Sequence, residues 1–259
     1  MSDTAPETAP AAAPQMPLFF SNVVGVNPSE TPDLRLDRTT GYRFAAAAQW
    51  VPIGLAEFEA AGRCYPILFT AGPDPVPVVL VGLDARGNLF IDKNGAWRPD
   101  TYVPAYVRSY PFVLIDDQSS GATYIGMETT AEAFSNPDAA RMFEDGKPTQ
   151  MLNDAVALCT SSRANINAAT AMARALATEG LLEEEEAAVT FTGGGELRVR
   201  GFQLLRADRL AAVSDATFLE WRQRGWLGAI YAHLHSAGSW ARLIELASVD
   251  LPATPTERS

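Results

Sequence analysis

Residues 187–204 read "AAVTFTGGGELRVRGFQL". Val189 and Phe191 alternate with small or polar neighbours, three glycines follow at 193–195, and Leu197 and Val199 resume the alternation. Period-two patterning on both sides of a glycine cluster predicts a β-hairpin, and a hairpin joins antiparallel strands. The glycines are not followed by Lys and Ser/Thr, and they do not lead into a helix, so a phosphate-binding loop is not expected.

Working outward, "VPVVLVGL" (76–83) and "NLFID" (88–92) flank the turn-rich Asp84–Gly87. Asn94–Gly95 follows, the dipeptide favoured by type I′ turns, so a meander of short antiparallel strands is expected over 76–98. "YPILFT" (65–70), "FVLID" (112–116) and "TYIGME" (123–128) extend the strand content. Helical signals lie between and after them. Pro52 precedes "IGLAEFEAAGRC", a short helix pattern burying Leu55, Phe58 and Gly62. Asn136–Pro137–Asp138 has the form of an N-cap and first turn, for a short helix ending near Asp145–Gly146. Thr149 caps a longer helix in which Leu152, Cys159, Ile166, Ala173 and Leu176 recur, and Gly180 stops it. Ser214 caps a last helical region with a break at Gly225. The expected class is α+β: antiparallel hairpins and a meander with helices packed against them, and a more helical C-terminal half. Residues 1–15 and 249–259 are expected as loose tails around one α+β domain over 16–248.

The 259 residues suffice for one large domain or two small ones, and 47% hydrophobic with 20% charged content is that of an ordinary globular protein. A net charge of −11 repels a nucleic-acid duplex or an anionic membrane, so no nucleic-acid partner is expected. The runs "VPVVLVGL" and "WLGAIYAHL" (226–234) are about half the roughly 18–20 residues that cross a bilayer, so no transmembrane segment is expected. The first residues lack the basic and apolar regions of a secretory signal, which favours the cytoplasm. The alternative is an envelope or surface location reached without a cleaved signal. Cys64 and Cys159 lie far apart and make no disulfide framework.

Chemistry is sparse. His233 and His235, the two histidines, are two residues apart in a helical pattern, about 200° around its axis, where a helical metal pair needs a spacing of three or four. "DKNG" (92–95) resembles the start of a calcium loop, but Ala96 and Val103 stand where oxygen ligands are needed. There is no G-x-S-x-G, and the acidic run Glu183–Glu186 reads as a solvated face. No catalytic residue, metal or cofactor is expected. What stands out is "PDTYVPAYVRSYPF" (99–112), with Tyr102, Tyr106 and Tyr110 every fourth residue. Pro104 and Pro111 favour one or two helical turns at 104–109 between extended chain, which turns Arg108 away from the tyrosines. Tyrosine and arginine are also what binding hot spots prefer. The candidate ligand- or partner-binding residues are Trp97, Tyr102, Tyr106, Arg108 and Tyr110, with Trp226, Tyr231 and His233 from the C-terminal helical region.

"MPLFFSNVVGVNP" (16–28), "YPILFT", "NLFIDKNGAWRPDTYVPAYVRSYPF" (88–112), "FEDGKPT" (143–149) and "RGWLGAIYAHLHS" (224–236) together resemble the SapC-like family of bacterial proteins. This is not the peptide-transport permease of the same name, which spans membranes. The family name comes from surface-layer systems, and members are commonly encoded near flavin-dependent halogenases and outer-membrane receptors. The resemblance therefore implies an accessory role and supplies no catalytic residues. The expected function is a soluble, non-enzymatic binding or accessory protein of unknown small-molecule or protein partner. The alternatives are an envelope-associated component, or an enzyme of unrecognised type using carboxylates with Arg108 or His233.

Overall fold

A computed structural model describes residues 16–117, 119–190 and 196–249. The first half is built from short elements. They run β1 (Val23–Gly25), β2 (Arg35–Leu36), β3 (Trp50–Pro52), α1 (Phe58–Gly62), β4 (Ile67–Thr70) and β5 (Pro77–Leu80). α2 (Ala105–Ser109), β6 (Phe112–Asp116) and β7 (Thr123–Glu128) follow. Three two-residue strands come next, β8 (Ala140–Arg141), β9 (Phe143–Glu144) and β10 (Lys147–Pro148), before the long helix α3 (Gln150–Thr178). The chain continues as β11 (Leu182–Thr190), β12 (Glu196–Leu205), α4 (Asp215–Gln223), α5 (Trp226–His235) and α6 (Trp240–Val249).

All pairings among these strands are antiparallel, which with the helix-rich second half makes the fold α+β. Of the two main sheets the larger has the order β11-β12-β4-β5-β3 and the smaller β1-β7-β6, while β2 with β8 and β9 with β10 form two-stranded pairs. β11 and β12 form the expected hairpin, with Val189 opposite Leu197 and Thr190 opposite Glu196. Its glycine turn and Phe191 lie outside the described residues, as do residues 1–15 and 250–259. Arg200 and Gly201 of β12 together face Glu186 of β11, a bulge at which Gly201 takes φ 83°. The acidic run lies on this edge strand. Glu186 bonds Arg198 and Arg200, and Glu183 bonds Arg206 and Arg209, while the charge discourages pairing with another chain.

α3 ties the two sheets together. At about 1.5 Å per residue its 29 residues span roughly 43 Å. Leu152 and Cys159 in its first half pack with Phe112, Met127 and Met142 under the smaller sheet. Ala169, Met172, Ala173 and Leu176 in its second half pack with Leu68, Val79 and Phe202 under the larger. Gly180 follows its C-cap, and the bonds Leu181 N–H to Leu176 O and Gly180 N–H to Ala177 O close a Schellman turn. Thr149 is the N-cap, but its hydroxyl bonds Arg141 O and Met142 O instead of the first helical N–H groups. Ser214 Oγ does accept the Thr217 N–H, and Gly225, at φ 73°, separates α4 from α5.

Several expectations are corrected. Residues 88–92 form no strand. Leu89 N–H bonds Val81 O and Arg98 N–H bonds Phe90 O, leaving one isolated bridge between Ile91 and Trp97. The turn at 92–95 is not type I′, since Gly95 takes φ 85° but Asn94 has no positive φ. Gly95 N–H bonds Asp92 O, and Asp92 Oδ1 accepts the N–H groups of Asn94 and Ala96, so the carboxylate shapes this turn. No helix forms over 136–146. Asn136 Oδ1 does accept the Asp138 N–H, but its Nδ2 bonds Asp37, and the next residues pair with β2 as Ala140–Arg141. In the 55–62 segment Leu55 and Gly62 are only half-buried, while Phe58 and the unexpected Glu57 are buried. Among the described residues no helix is long and apolar enough to cross a membrane.

Candidate functional site

Proline placement predicts the short helix α2, and Pro104, at φ −55° and ψ 144°, takes the N-cap position just before it. A buried carboxylate holds this helix in place. Glu57 accepts hydrogen bonds from Gly54 N at 2.7 Å, Ala105 N at 2.7 Å and the Tyr102 hydroxyl at 2.9 Å. One side chain thereby satisfies a helix-start N–H and anchors the chain that leads into it. Beneath, the Trp97 indole donates to the Tyr65 hydroxyl at 3.0 Å, and that hydroxyl donates to Tyr102 O. Burial drives the Tyr65 phenol up beyond its ordinary range, and burial with the nearby Glu57 raises Tyr102.

Arg108 is exposed on the last turn of α2, and among the described residues its side chain hydrogen-bonds Val103 O and the Tyr102 hydroxyl and neither Tyr106 nor Tyr110. It is not turned away from all three tyrosines. Its guanidinium carbon lies 5.9 Å from the centre of the Tyr102 ring, and Nη2 bonds the Tyr102 hydroxyl at 3.4 Å. The reason is that Tyr102 precedes the helix, so helical geometry does not set its direction. Tyr110 stacks on Phe44 with centroids 3.8 Å apart and planes 15° off parallel. Tyr106 donates to Leu18 O at 3.0 Å, and burial pushes its hydroxyl up to about 12.

Between these groups and the start of α3 lies a cleft of about 440 Å³. One wall is residues 36–44, a second is the end of α2 through Phe112, and a third is Thr130 with Glu132 and Ala133. Met151, Asp154, Ala155 and Leu158 of α3 complete it. The 36–44 segment is moored by the 92–95 turn, through Tyr42 N–H to Gly95 O at 2.7 Å and Arg43 Nη2 to Lys93 O at 3.2 Å. A Cβ at Gly41 would stand 2.4 Å from Gly95 O, so the two backbones are in close approach. A second, apolar pocket of about 170 Å³ adjoins Tyr106 and Phe112, with Cys159 in its lining. Burial raises the Cys159 thiol to about 12, so it is a poor nucleophile.

The eight candidate residues do not form one surface. Arg108 and Tyr110 line the cleft, Tyr106 lines the smaller pocket, and Tyr102 supports Arg108 from behind. Trp97 is buried beneath α2. Trp226 is buried on α5 with the Arg224 guanidinium 4.9 Å from its ring, His233 is buried, and Tyr231 is 45% exposed on the same helix. None of the three lines the cleft. Sequence reasoning missed Arg38, Arg43 and Phe44. The run "YRF" at 42–44 mixes aromatics with arginine as the 99–112 stretch does, and that was the available signal. Among the described residues no three His, Cys, Asp or Glu side chains gather as a metal would require.

Neither the curated proteins nor the solved structures give a match to this chain. The family model described as SapC matches residues 26–243, from the approach to β2 through all of α5, and the chain belongs to the SapC family.

Proposed function

We propose that this protein is a non-enzymatic binding protein, accessory to another activity, and that it holds its ligand or partner in the cleft between α2 and the start of α3. The observation that carries this reading is that Arg38, Arg43 and Arg108 line a concave site whose inner face includes the stacked Phe44 and Tyr110. Concave, partly aromatic sites with a few polar groups are the usual form of a ligand pocket. Guanidinium groups stay protonated at neutral pH, so they bind and orient without supplying or removing a proton. Among the lining acids, Asp37 is held low by its bonds from Asn136 and Thr39, which keeps it ionised.

Filling the cleft tests the reading. Ala155 is half-buried on the α3 wall, and Ala155→Phe adds a ring to the cleft lining while leaving all three arginines in the sequence. Tagged wild type recovered from its native cells is expected to retain a compound or protein that the variant, with unchanged melting temperature, does not. Equal retention by both forms counts against the cleft as the binding site. Multiple turnover of a retained compound would count against the non-enzymatic reading.

A further inference from the structure

We infer that the cleft receives a small carboxylate with a flat apolar body, a deeper reading that rests on the cleft being the binding site. The charges of the lining balance formally, with Arg38, Arg43 and Arg108 against Asp37, Glu132 and Asp154. Unspent hydrogen-bonding capacity breaks the tie. Asp37 accepts from Thr39 and Asn136 and Asp154 accepts from Gln150, which leaves Glu132 as the one lining acid whose side chain bonds nothing among the described residues, against three arginines with donors to spare. Each guanidinium carries five N–H donors. Arg43 commits one to Lys93 O, Arg108 commits two to Val103 O and the Tyr102 hydroxyl, and the Arg38 side chain bonds nothing among the described residues.

Nor do these arginines meet a carboxylate. Arg38, Arg43 and Arg108 form no ion pair among the described residues, and what sets them apart from Arg35, Arg98, Arg222 and Arg242, which also form none, is that all three line one cleft. Guanidinium forks with free donors fit a carboxylate in a bidentate way. Shape supplies the other half. Phe44 and Tyr110 stack face to face and both line the cleft, so what the pair leaves for a ligand is an outer ring face and its edges, an aromatic surface against which a planar body packs. About 440 Å³ is within the usual range for one small molecule and short of a groove for a protein segment.

The test titrates the full chain with 2-naphthoate and with its neutral counterpart, 2-naphthalenemethanol, by calorimetry. Naphthoate is expected to bind at least tenfold more tightly than the alcohol. Arg38→Gln is expected to weaken naphthoate tenfold or more and to leave the alcohol unchanged. Arg108→Gln is expected to act in the same direction. Because Arg108 also bonds backbone, Arg38→Gln keeps the test readable if α2 is disturbed. Equal binding of the two probes, or naphthoate affinity unmoved in both variants, overturns the carboxylate assignment and leaves the cleft as a binding site. If neither probe binds, while Ala155→Phe still removes a protein retained from native cells, the small-ligand inference is overturned and the binding function stands. If neither probe binds and Ala155→Phe changes nothing, both fall.

Discussion

Buried in α5, His233 accepts the Leu205 N–H at Nε2 over 3.2 Å, so in the neutral ring the proton sits on Nδ1, whose polar neighbour is the backbone of Ile67. Burial holds its pKa down to about 4, against 6.5 for an ordinary histidine. With the folded value below the unfolded one, the unfolded chain binds more protons between those limits. Stability is therefore full above about pH 6.5 and falls as the pH drops toward 4, by about 3 kcal/mol from this residue. His233→Gln keeps an acceptor for Leu205 without a titrating ring. Urea melts at pH 7 and pH 4 are expected to show the wild type losing about 3 kcal/mol more than this variant. Glu57 makes a second case at this scale. Glu57→Gln replaces one carboxylate oxygen with an NH₂ group that must face the N–H of Gly54 or Ala105, and a loss of about 1–3 kcal/mol in denaturant titration is expected. The same residues show what the sequence could say of the site. Arg108 and Tyr110 were legible because a Tyr/Arg-rich stretch with two prolines restricts its own geometry. Trp97, Trp226 and His233 were not, since aromatic residues serve cores and contact surfaces alike. Only partners such as Tyr65, 32 positions from Trp97, decide between them.

At the scale of elements, the α4–α5 break depends on Gly225, whose N–H bonds Arg222 O and whose φ of 73° strains any L side chain. A Cβ there would meet nothing within 4 Å, so Gly225→Ala carries only the backbone cost, about 1 kcal/mol, or a melting temperature lower by about 2–4 °C. Gly82→Ala is the contrast, because its Cβ would stand 2.0 Å from Gly87 O, which is backbone and cannot swing aside. Thermal melts are expected to show a drop for Gly82→Ala several times that for Gly225→Ala. Elements followed from sequence where local pattern and tertiary demand coincide. Phe112–Asp116 pairs along its whole length with residues 123–127, with Phe112 and Met127 on the buried face. They failed where distant chain intervened. Asn136 makes the first turn a helix would need, yet residues 140–141 leave to pair with Arg35–Leu36. At 88–92 the Asn88 side chain intervenes, its Oδ1 taking the Phe90 N–H, so the single backbone bond from Leu89 N–H to Val81 O does not extend into a ladder.

For the whole molecule, the question is whether two cores on one helix melt as one. Leu152 and Cys159 belong to the smaller core, Met172 and Leu176 to the larger, and α3 carries all four in one continuous hydrogen-bonded rod. Helix formation is cooperative, so losing one half of α3 exposes the other half's buried face and weakens its packing. The tryptophans make this separable by experiment. Trp97, Trp221 and Trp226 lie in the larger core, and Trp50 and Trp240 pack against it, so indole fluorescence reports that core alone. Circular dichroism reports helix and strand throughout. Leu152→Ala removes a buried side chain from the smaller core, at a cost of about 2–5 kcal/mol. If the cores are coupled through α3, this substitution moves the fluorescence midpoint in urea as far as it moves the dichroism midpoint. A fluorescence midpoint left at the wild-type value, with an early dichroism phase split from it, would mean that the smaller core unfolds independently. Coincident shifts are expected, since no linker separates the cores and the helix that joins them is buried in both.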